Sequence, residues 1–526
     1  MPSKKDLWST ISLAPLTGLL DVRSRPADIP IGAFRWLENL QCTTNGKRCR
    51  RPGFDHFFGG DGNHDFHKQD GTREPLLMGF ESTAQDGTRS LFVGGKTFLA
   101  TLNETTGDWT KLRTSMADAG YHWKSAEIND TVVFTNNAEH VQYHVLGSGT
   151  AQDIPELLSE RKVTAARVVV MWGGFTILMN VIQDDGSGPT RQTARIIWSD
   201  FELPLSWGMG VAFPDSLAGA QDLTYGDEIL NAIPLLNSLY IFTRRSIWKM
   251  SISASSDSVF SFERVYNEPK NQTGCLAFPN AIVSDGYNIW YMSRDGIYNY
   301  NPYLATPERN DRDHTDWLNR ASGVIYTKSD TAMDGSDCEG PVAEYRPSTG
   351  ELIFSWPSAG SPYNNWTLYA QTQFKTADVD PSGWLFLTNY RRTPTGTGCN
   401  EQQDLIGASN VDWAIKSFGG VFSKEYVITN DDLTVDVETA VYYRVGYNTV
   451  LRGMIPLGLT DRDKIVSRVQ IDVDVNPQDV PCVLTLRIGN SYHLTDPNDL
   501  DDSCAPLWSD LGDKTLDCPD SARISK

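Results

Sequence analysis

Short apolar runs alternate with polar turns along most of this chain. A turn pair leads into an apolar strand, a polar turn follows, and a second apolar strand closes the unit. The unit recurs at irregular intervals of roughly 35 to 65 residues, the range in which propeller blades are sought. It is seen in "TRSLFVGGKTFLATL" from Thr88, "NDTVVFTNNAEHVQYHV" from Asn129, "GGFTILMNV" from Gly173 and "NSLYIFTRRSIWKMSI" from Asn237. It returns in "DGYNIWYMSRDGIYNYNP" from Asp285, "TGELIFSWP" from Thr349 and "SGWLFLTNY" from Ser382. One hairpin cannot bury both its faces, whereas blades packed radially around an axis can, and they leave only short edges. The pattern therefore predicts an all-β chain whose centre is a β-propeller of six to eight irregular blades.

Around that centre the pattern predicts three regions. Residues 1–75 form an extended N-terminal arm and clasp, residues 76–420 the propeller, and residues 421–526 a C-terminal β-sandwich-like domain. The last follows from "KIVSRVQIDVDVNPQDVPCVLTLRIGN", which alternates apolar and polar positions. Two stretches lengthen the local repeat, 184–220 and 305–342, and are expected to be loop insertions, the second with a short helix beginning near Thr315. The uncharged run Val168 to Ile182 is shorter than a membrane helix requires and has Gly173-Gly174 at its centre, so a β-hairpin is expected and no membrane segment. The N-terminal stretch is broken by Asp6, Thr10, Pro15 and Thr17, and no secretory leader is expected.

Composition agrees with a folded, β-rich chain: 15 Trp, 20 Tyr and 21 Phe stand among 43 Gly and 27 Pro in 526 residues. The net charge of −20 argues against a body that grips nucleic acid, because phosphate binding needs a cationic surface. It leaves room for DNA that passes by, since a like-charged wall lets a duplex slide without sticking. The eight cysteines include no CxxC pair, which removes zinc ribbons and thioredoxin-type sites and leaves free thiols as the expectation.

Catalytic signatures are absent: there is no G-x-S-x-G elbow, HExxH, P-loop or dinucleotide fingerprint, and the chain is read as a non-enzyme without a cofactor. His140 and His144 are read as ordinary sheet histidines, because four residues of strand span about 13 Å and their rings cannot share a metal. His56, Asp61, His64, Asp65 and His67 lie close in sequence without a standard ligand spacing and are read as a solvated loop. Asp378, Asp380 and Ser382 stand at calcium-loop positions, but the twelfth position is Asn389 where a bidentate Glu is needed, so an ordinary turn is preferred to a metal site. Four N-x-[ST] sequons, at Asn103, Asn129, Asn271 and Asn365, carry no weight without a secretory context.

Against this acidic background one segment is basic. Between Asp28 and Phe54, Lys47, Arg48, Arg50 and Arg51 gather in a loop punctuated by Gly and Pro, while Phe34, Trp36 and Leu37 offer an apolar strip that can pin an extended strap to a sheet. The four cations are expected to meet acidic protein surface, on the body or on a neighbouring subunit, in preference to DNA. Further on, "IIWSDFELPLSW" sets Trp198 and Trp207 either side of a Pro-containing turn, either as a local aromatic core or as a subunit interface.

Taken together, Ile29-Pro30-Ile31-Gly32-Ala33, Asn39, Gly46 and Arg51-Pro52-Gly53-Phe54, followed by the stretch from Arg195 through Trp198-Ser199-Asp200 to Trp207, resemble the β-propeller tail proteins of bacteriophages. These are nozzle or tail-hub proteins, similar in class to the packaged-DNA stabilisation proteins of short-tailed phages. The resemblance covers roughly the first 400 residues as pattern and order. It departs at Ile29, where Leu is common, and in Cys42 and Cys49. It implies a structural virion protein made in the host cytoplasm, a tail nozzle, hub or head-to-tail connector. In that family a ring, usually a homo-hexamer, meets portal, adaptor or other tail proteins, lines a DNA channel and supports genome retention and ejection. Interface candidates under this reading are Phe34, Trp36, Lys47, Arg48, Arg50, Arg51, Trp198, Asp200 and Trp207. The alternatives are a receptor- or glycan-binding propeller and a glycoside hydrolase, the latter requiring a carboxylate pair.

Overall fold

Each of the seven hairpins read from the sequence falls in its own antiparallel sheet, and the sheets stand around one axis. The computed structural model describes residues 20–24, 33–37, 40–42, 48–50 and 55–56, then 76–380 apart from short loop stretches, then ten-residue or shorter strands at 384–388, 412–416, 420–424, 450–452, 470–473, 482–490, 507–516 and 522–525. Six sheets follow one another between Leu76 and Asp380. Their innermost strands are Leu76–Thr83, Lys124–Ile128, Val163–Trp172, Ile229–Leu235, Ile282–Ser284 and Val342–Arg346. Neighbouring inner strands touch in that order, and a seventh sheet that starts with Trp384–Thr388 lies between the sixth and the first, which closes the ring. The fold is all-β and a propeller, as the periodicity predicts.

Packing between blades explains why the hairpins are apolar on both faces. A buried cluster fills each of the first gaps: Phe92, Trp123 and Phe134 between blades 1 and 2, Val133, Leu178 and Trp207 between 2 and 3. Trp172, Trp198 and Phe260 fill the gap between blades 3 and 4, and Phe242, Tyr291 and Tyr300 that between 4 and 5. A sheet sandwiched between two others has no solvent face, so its strands read as continuous apolar runs: Thr131–Thr135 and Ser238–Thr243 are buried at every position.

Turn chemistry is local and legible. Gly173 and Gly174, at φ +62° and +84°, join Trp172 to Phe175 in the two-residue hairpin turn that needs positive φ at both positions. Asn129 and Asp130 make the equivalent turn in blade 2, at φ +49° and +58°.

Two expectations need correction. Residues 184–220 are not one loop, because Pro189–Trp198 is the third strand of blade 3, paired along its length with Phe175–Asp184. Its first half is polar and solvent-facing because this hairpin projects past the disc, so alternation there has no buried face to report. The loop proper is 199–218. The second insertion replaces the outer strand of blade 5, which has three strands, by a helix α1 at Asp316–Ala321 and a helix α2 at Gly323–Tyr326. The first of these starts where the sequence placed it.

The arm is the device that links the far side of the ring. Leu20 and Val22, then Phe34, Trp36 and Leu37, are buried against α1, α2 and blades 5 and 6. Buried Asp21 pairs with Arg320 Nη1 at 2.9 Å and accepts the backbone N–H of Ser24 at 2.8 Å. Cys42 and the side chain of Gln371 exchange two hydrogen bonds of 2.9 Å across the outer part of blade 6. The hairpin of Leu40–Cys42 with Arg48–Arg50 lies beside Thr376–Asp380, the outer strand of that blade. Asp55–His56 then forms the outer strand of blade 7 by pairing with Phe422 and Ser423 of Gly420–Lys424. The arm thus runs from blade 5 to blade 7 before the chain enters blade 1. Beyond the ring, Val450–Arg452 pairs with Phe34–Leu37, Gln470–Val473 with Ala522–Ser525, and Cys482–Asn490 with Leu507–Leu516.

Candidate functional site

Two places combine chemistry with geometry: the axis of the ring and the loop 199–218. The axis is lined by the inner strands, and a cavity of about 210 Å³ lies there, walled by Met78, His122, Lys124, Ile282, Val342 and Glu344 among others. Next to it Arg167, on the inner strand of blade 3, pairs with Glu228 at 2.8 Å and with Glu339, while Glu228 also holds Arg244. His122 Nδ1 lies 3.0 Å from the carbonyl oxygen of Leu77. Strands from six blades converge on these groups, so the ionic cluster ties the hub of the disc together.

Within the cluster Lys124 and Glu344 are each only half-buried, because they face the cavity, yet protein surrounds them on every side. Loss of water around the charge dominates both. It lowers the Lys124 ammonium to about 8, a shift that Arg167 reinforces and that Glu339 and Glu344 oppose. It raises the Glu344 carboxyl to about 8 against the pull of Lys124. A cavity of this size has room for a cluster of waters and none for a nucleic-acid duplex.

The loop 199–218 is built by the stretch on which part of the phage resemblance rests. Arg195 grips Asp222 on the neighbouring strand through two bonds of 2.7 Å, which sets the register entering the loop. Trp198 is buried on Phe260 of blade 4, with ring centroids 5.1 Å apart, and its Nε1–H donates to the carbonyl oxygen of Leu217 at the loop's far end. Ser199 Oγ accepts the backbone N–H of Thr176, and Asp200 Oδ1 accepts those of Phe201 and Leu217. Trp207 is fully buried. Its Nε1–H donates to Pro204 and its carbonyl oxygen accepts from Arg161 Nε at 2.6 Å. Glu156 Oε2, in a helical turn at Pro155–Ser159, takes the backbone N–H groups of Trp207 and Gly208.

Of the two readings of this stretch, a local aromatic core describes Trp198 and Trp207, which are internal, and Asp200 is the staple between the loop's two ends. The side chains the loop does present are Phe201, Leu203, Met209, Val211 and Leu217, all exposed. Sequence reasoning fixed on the tryptophans and passed over these five, since an aromatic residue beside a turn signals burial and display equally well.

The remaining candidates are dispersed. Phe34 and Trp36 are buried within the chain's own core, where they fasten the arm. Arg48 and Arg50 lie on a strand at the rim of blade 6, and Lys47 and Arg51 lie outside the described residues. Asp378 and Asp380 belong to the outer strand of blade 6, with Asp378 opposite Tyr369 and fully buried, so they are not in the loop that a calcium site of that type needs. Ser382 and the residues Asp61 to His67 lie outside the described residues. Among the described residues no group of His, Cys, Asp or Glu is placed to hold a metal. His140 Nδ1 sits 3.0 Å from Asp153, and buried His144 packs on Phe92 with its charged form disfavoured by burial. Cys42 and Cys275 are buried, and burial pushes the Cys275 thiol up. No described helix is long and apolar enough to cross a membrane.

No protein-family model matches the sequence, and no curated protein is significantly similar to it. Among solved structures the chain is similar to the propeller protein in "YCF48 bound to D1 peptide", at 12% identity and a TM-score of 0.38, over 71% of this chain and 99% of that one. The propeller of this chain is shown by its own strand pairing and by the contacts between its inner strands.

Proposed function

We propose that this chain is a structural, non-enzymatic component of a bacteriophage tail, a nozzle, hub or connector subunit whose copies stand side by side in a ring, six in the family it resembles. In this reading the ring meets portal, adaptor or other tail proteins, and double-stranded DNA passes through the channel between copies during genome retention and ejection. The observation that carries it concerns the segment Ile29 to Phe54. The described residues of that segment fasten it to the disc: Phe34, Trp36 and Leu37 are buried on blades 5 and 6, and the hairpin of Leu40–Cys42 with Arg48–Arg50 lies beside the outer strand of blade 6. The plugged axis supports the same reading, because a propeller whose hub is held by Arg167, Glu228 and Glu339 does not conduct along its own axis, and a conduit has to be formed by several copies. Net charge of −20 suits a wall that DNA slides past.

The test is electron microscopy of particles carrying this chain with a small tag at its C-terminus. Tag density in a ring on the tail axis is expected. Density at the fibre tips, or a particle population without the protein, overturns the reading. The second reading, a glycan-binding propeller, draws on Tyr287, in the hairpin turn after the first strand of blade 5, and Tyr303, just past its third strand, both strongly exposed. A purified monomer that stays monomeric with its neighbouring tail components and binds an oligosaccharide would establish it instead.

A further inference from the structure

In a four-stranded antiparallel blade the first and third strands run the same way. The turns that end them therefore emerge on one face of the disc, and the turns that end the second strand, with the links to the next blade, on the other. Among the described residues twelve large apolar side chains are exposed, and eleven lie at the first of these faces. Five are on the loop 199–218. The other six, Val145, Met171, Leu236, Ile252, Tyr287 and Tyr303, end a first or third strand or sit in the turn that follows it. Tyr225 alone is on the opposite side, in the link from blade 3 to blade 4.

The apolar groups are contiguous across blades 3 and 4. Phe201 lies over Gly174, where an added Cβ would stand 2.4 Å from its ring, and Ile252 reaches to 3.7 Å from the corresponding point at Gly173. The charged groups of the same turns are predominantly acidic: among the described residues Asp86, Asp130, Asp200, Glu202, Asp215 and Asp285 stand against one cation, Lys375. The loop that supplies five of these eleven side chains is pre-set by Trp198, Asp200 and Trp207, so little ordering entropy is lost when something docks there.

We infer that this face is a docking surface for a different protein whose contacting surface is apolar and net cationic. A contiguous apolar patch with a polar rim marks an interaction site, and the charge selects the partner. A second copy of this chain brings a body of net charge −20 against an acidic rim, which opposes stacking of copies through this face. The inference rests on the face itself and stands or falls independently of the virion reading.

The test uses the full chain and two synthetic amphipathic helices with identical leucine faces, one carrying Lys and the other Glu on its polar face. Binding is read by fluorescence anisotropy, alongside light scattering for self-association and co-sedimentation with phosphatidylcholine vesicles. The Leu/Lys helix is expected to bind, and the Leu/Glu helix to bind at least tenfold more weakly. The double variant L203S/V211S and the charge reversal E202K/D215K, all at exposed positions, should each weaken the Leu/Lys helix about tenfold while melting like the parent. Equal binding of the two helices, or no effect of either double variant, overturns the inference. So does a doubling of mass, or vesicle binding, that L203S/V211S abolishes.

Discussion

Glu344 and Lys124 place an acid and a base in the same hub, and their linkage to pH has opposite signs. Folding raises the Glu344 carboxyl from about 4.5 to about 8, so between those values the folded chain keeps a proton that the unfolded chain has released, and stability falls as pH rises. Folding lowers Lys124 from about 10.5 to about 8, so between those values the unfolded chain holds the extra proton, and stability climbs again. The pair therefore contributes a minimum of stability near pH 8. Glu344→Gln is expected to remove the descending limb, making the protein about 1–2 kcal/mol more stable at pH 8 relative to its parent than at pH 5, a value kept small because the cavity admits water. Thermal melts across a pH series read this directly, and parallel curves for parent and variant would refute it. Nothing in the sequence around either residue announces the pairing, since 220 positions of chain separate them.

The loop 199–218 is an element whose shape is held by side chains it keeps inside. Trp207→Ala removes a fully buried ring from the cluster between blades 2 and 3 and is expected to cost about 3–5 kcal/mol. It should also expose the loop to cleavage in limited proteolysis under conditions where the parent resists. Asp200→Ala leaves the cluster intact but takes away the acceptor shared by Phe201 and Leu217, so a smaller loss of about 1–2 kcal/mol is expected, with the same new cleavage. Denaturant unfolding with mass mapping of fragments separates the two, and cleavage elsewhere in either variant would show that the loop is not the local unit described. The motif of Arg195 to Trp207 was visible in the chain. Its division into internal and displayed residues was not, because the side facing blade 2 or blade 4 is fixed only when those blades are in place.

The ring as a whole depends on a closure contributed from near the N-terminus. Asp55–His56 supplies the outer strand of the last blade, and the arm before it is buried on blades 5 and 6. Removal of residues 1–56 takes this strand away and uncovers the apolar surface beneath Phe34, Trp36 and Leu37. The expected result is a melting temperature lowered by roughly 10 °C or more, with concentration-dependent aggregation through the bared strand edge. Adding the separate peptide 15–60 should restore part of the loss. A truncated chain that melts with the parent and stays monodisperse would mean that the arm is ornamental. The apolar face belongs to the same level of organisation. Its residues are scattered over more than 150 positions and come together because every blade ends its first and third strands on the same side.

Periodicity by itself determined the strands, the hairpins and the propeller, because a period-two or fully apolar run bounded by Gly, Asn and Asp records local backbone geometry and burial, and both repeat from blade to blade. It also marked Phe34, Trp36 and Leu37 as a strip that pins the arm, since three large apolar groups in an extended segment have to be covered. What only the tertiary structure decided are the relations between distant positions. These include the ionic hub of Lys124, Arg167, Glu339 and Glu344, the closing of blade 7 by Asp55–His56, and the inward turn of Trp198 and Trp207 that leaves Phe201 and Val211 outside. Each is set by which blade lies next to which around the axis, and a one-dimensional pattern repeated seven times carries no record of that neighbourhood.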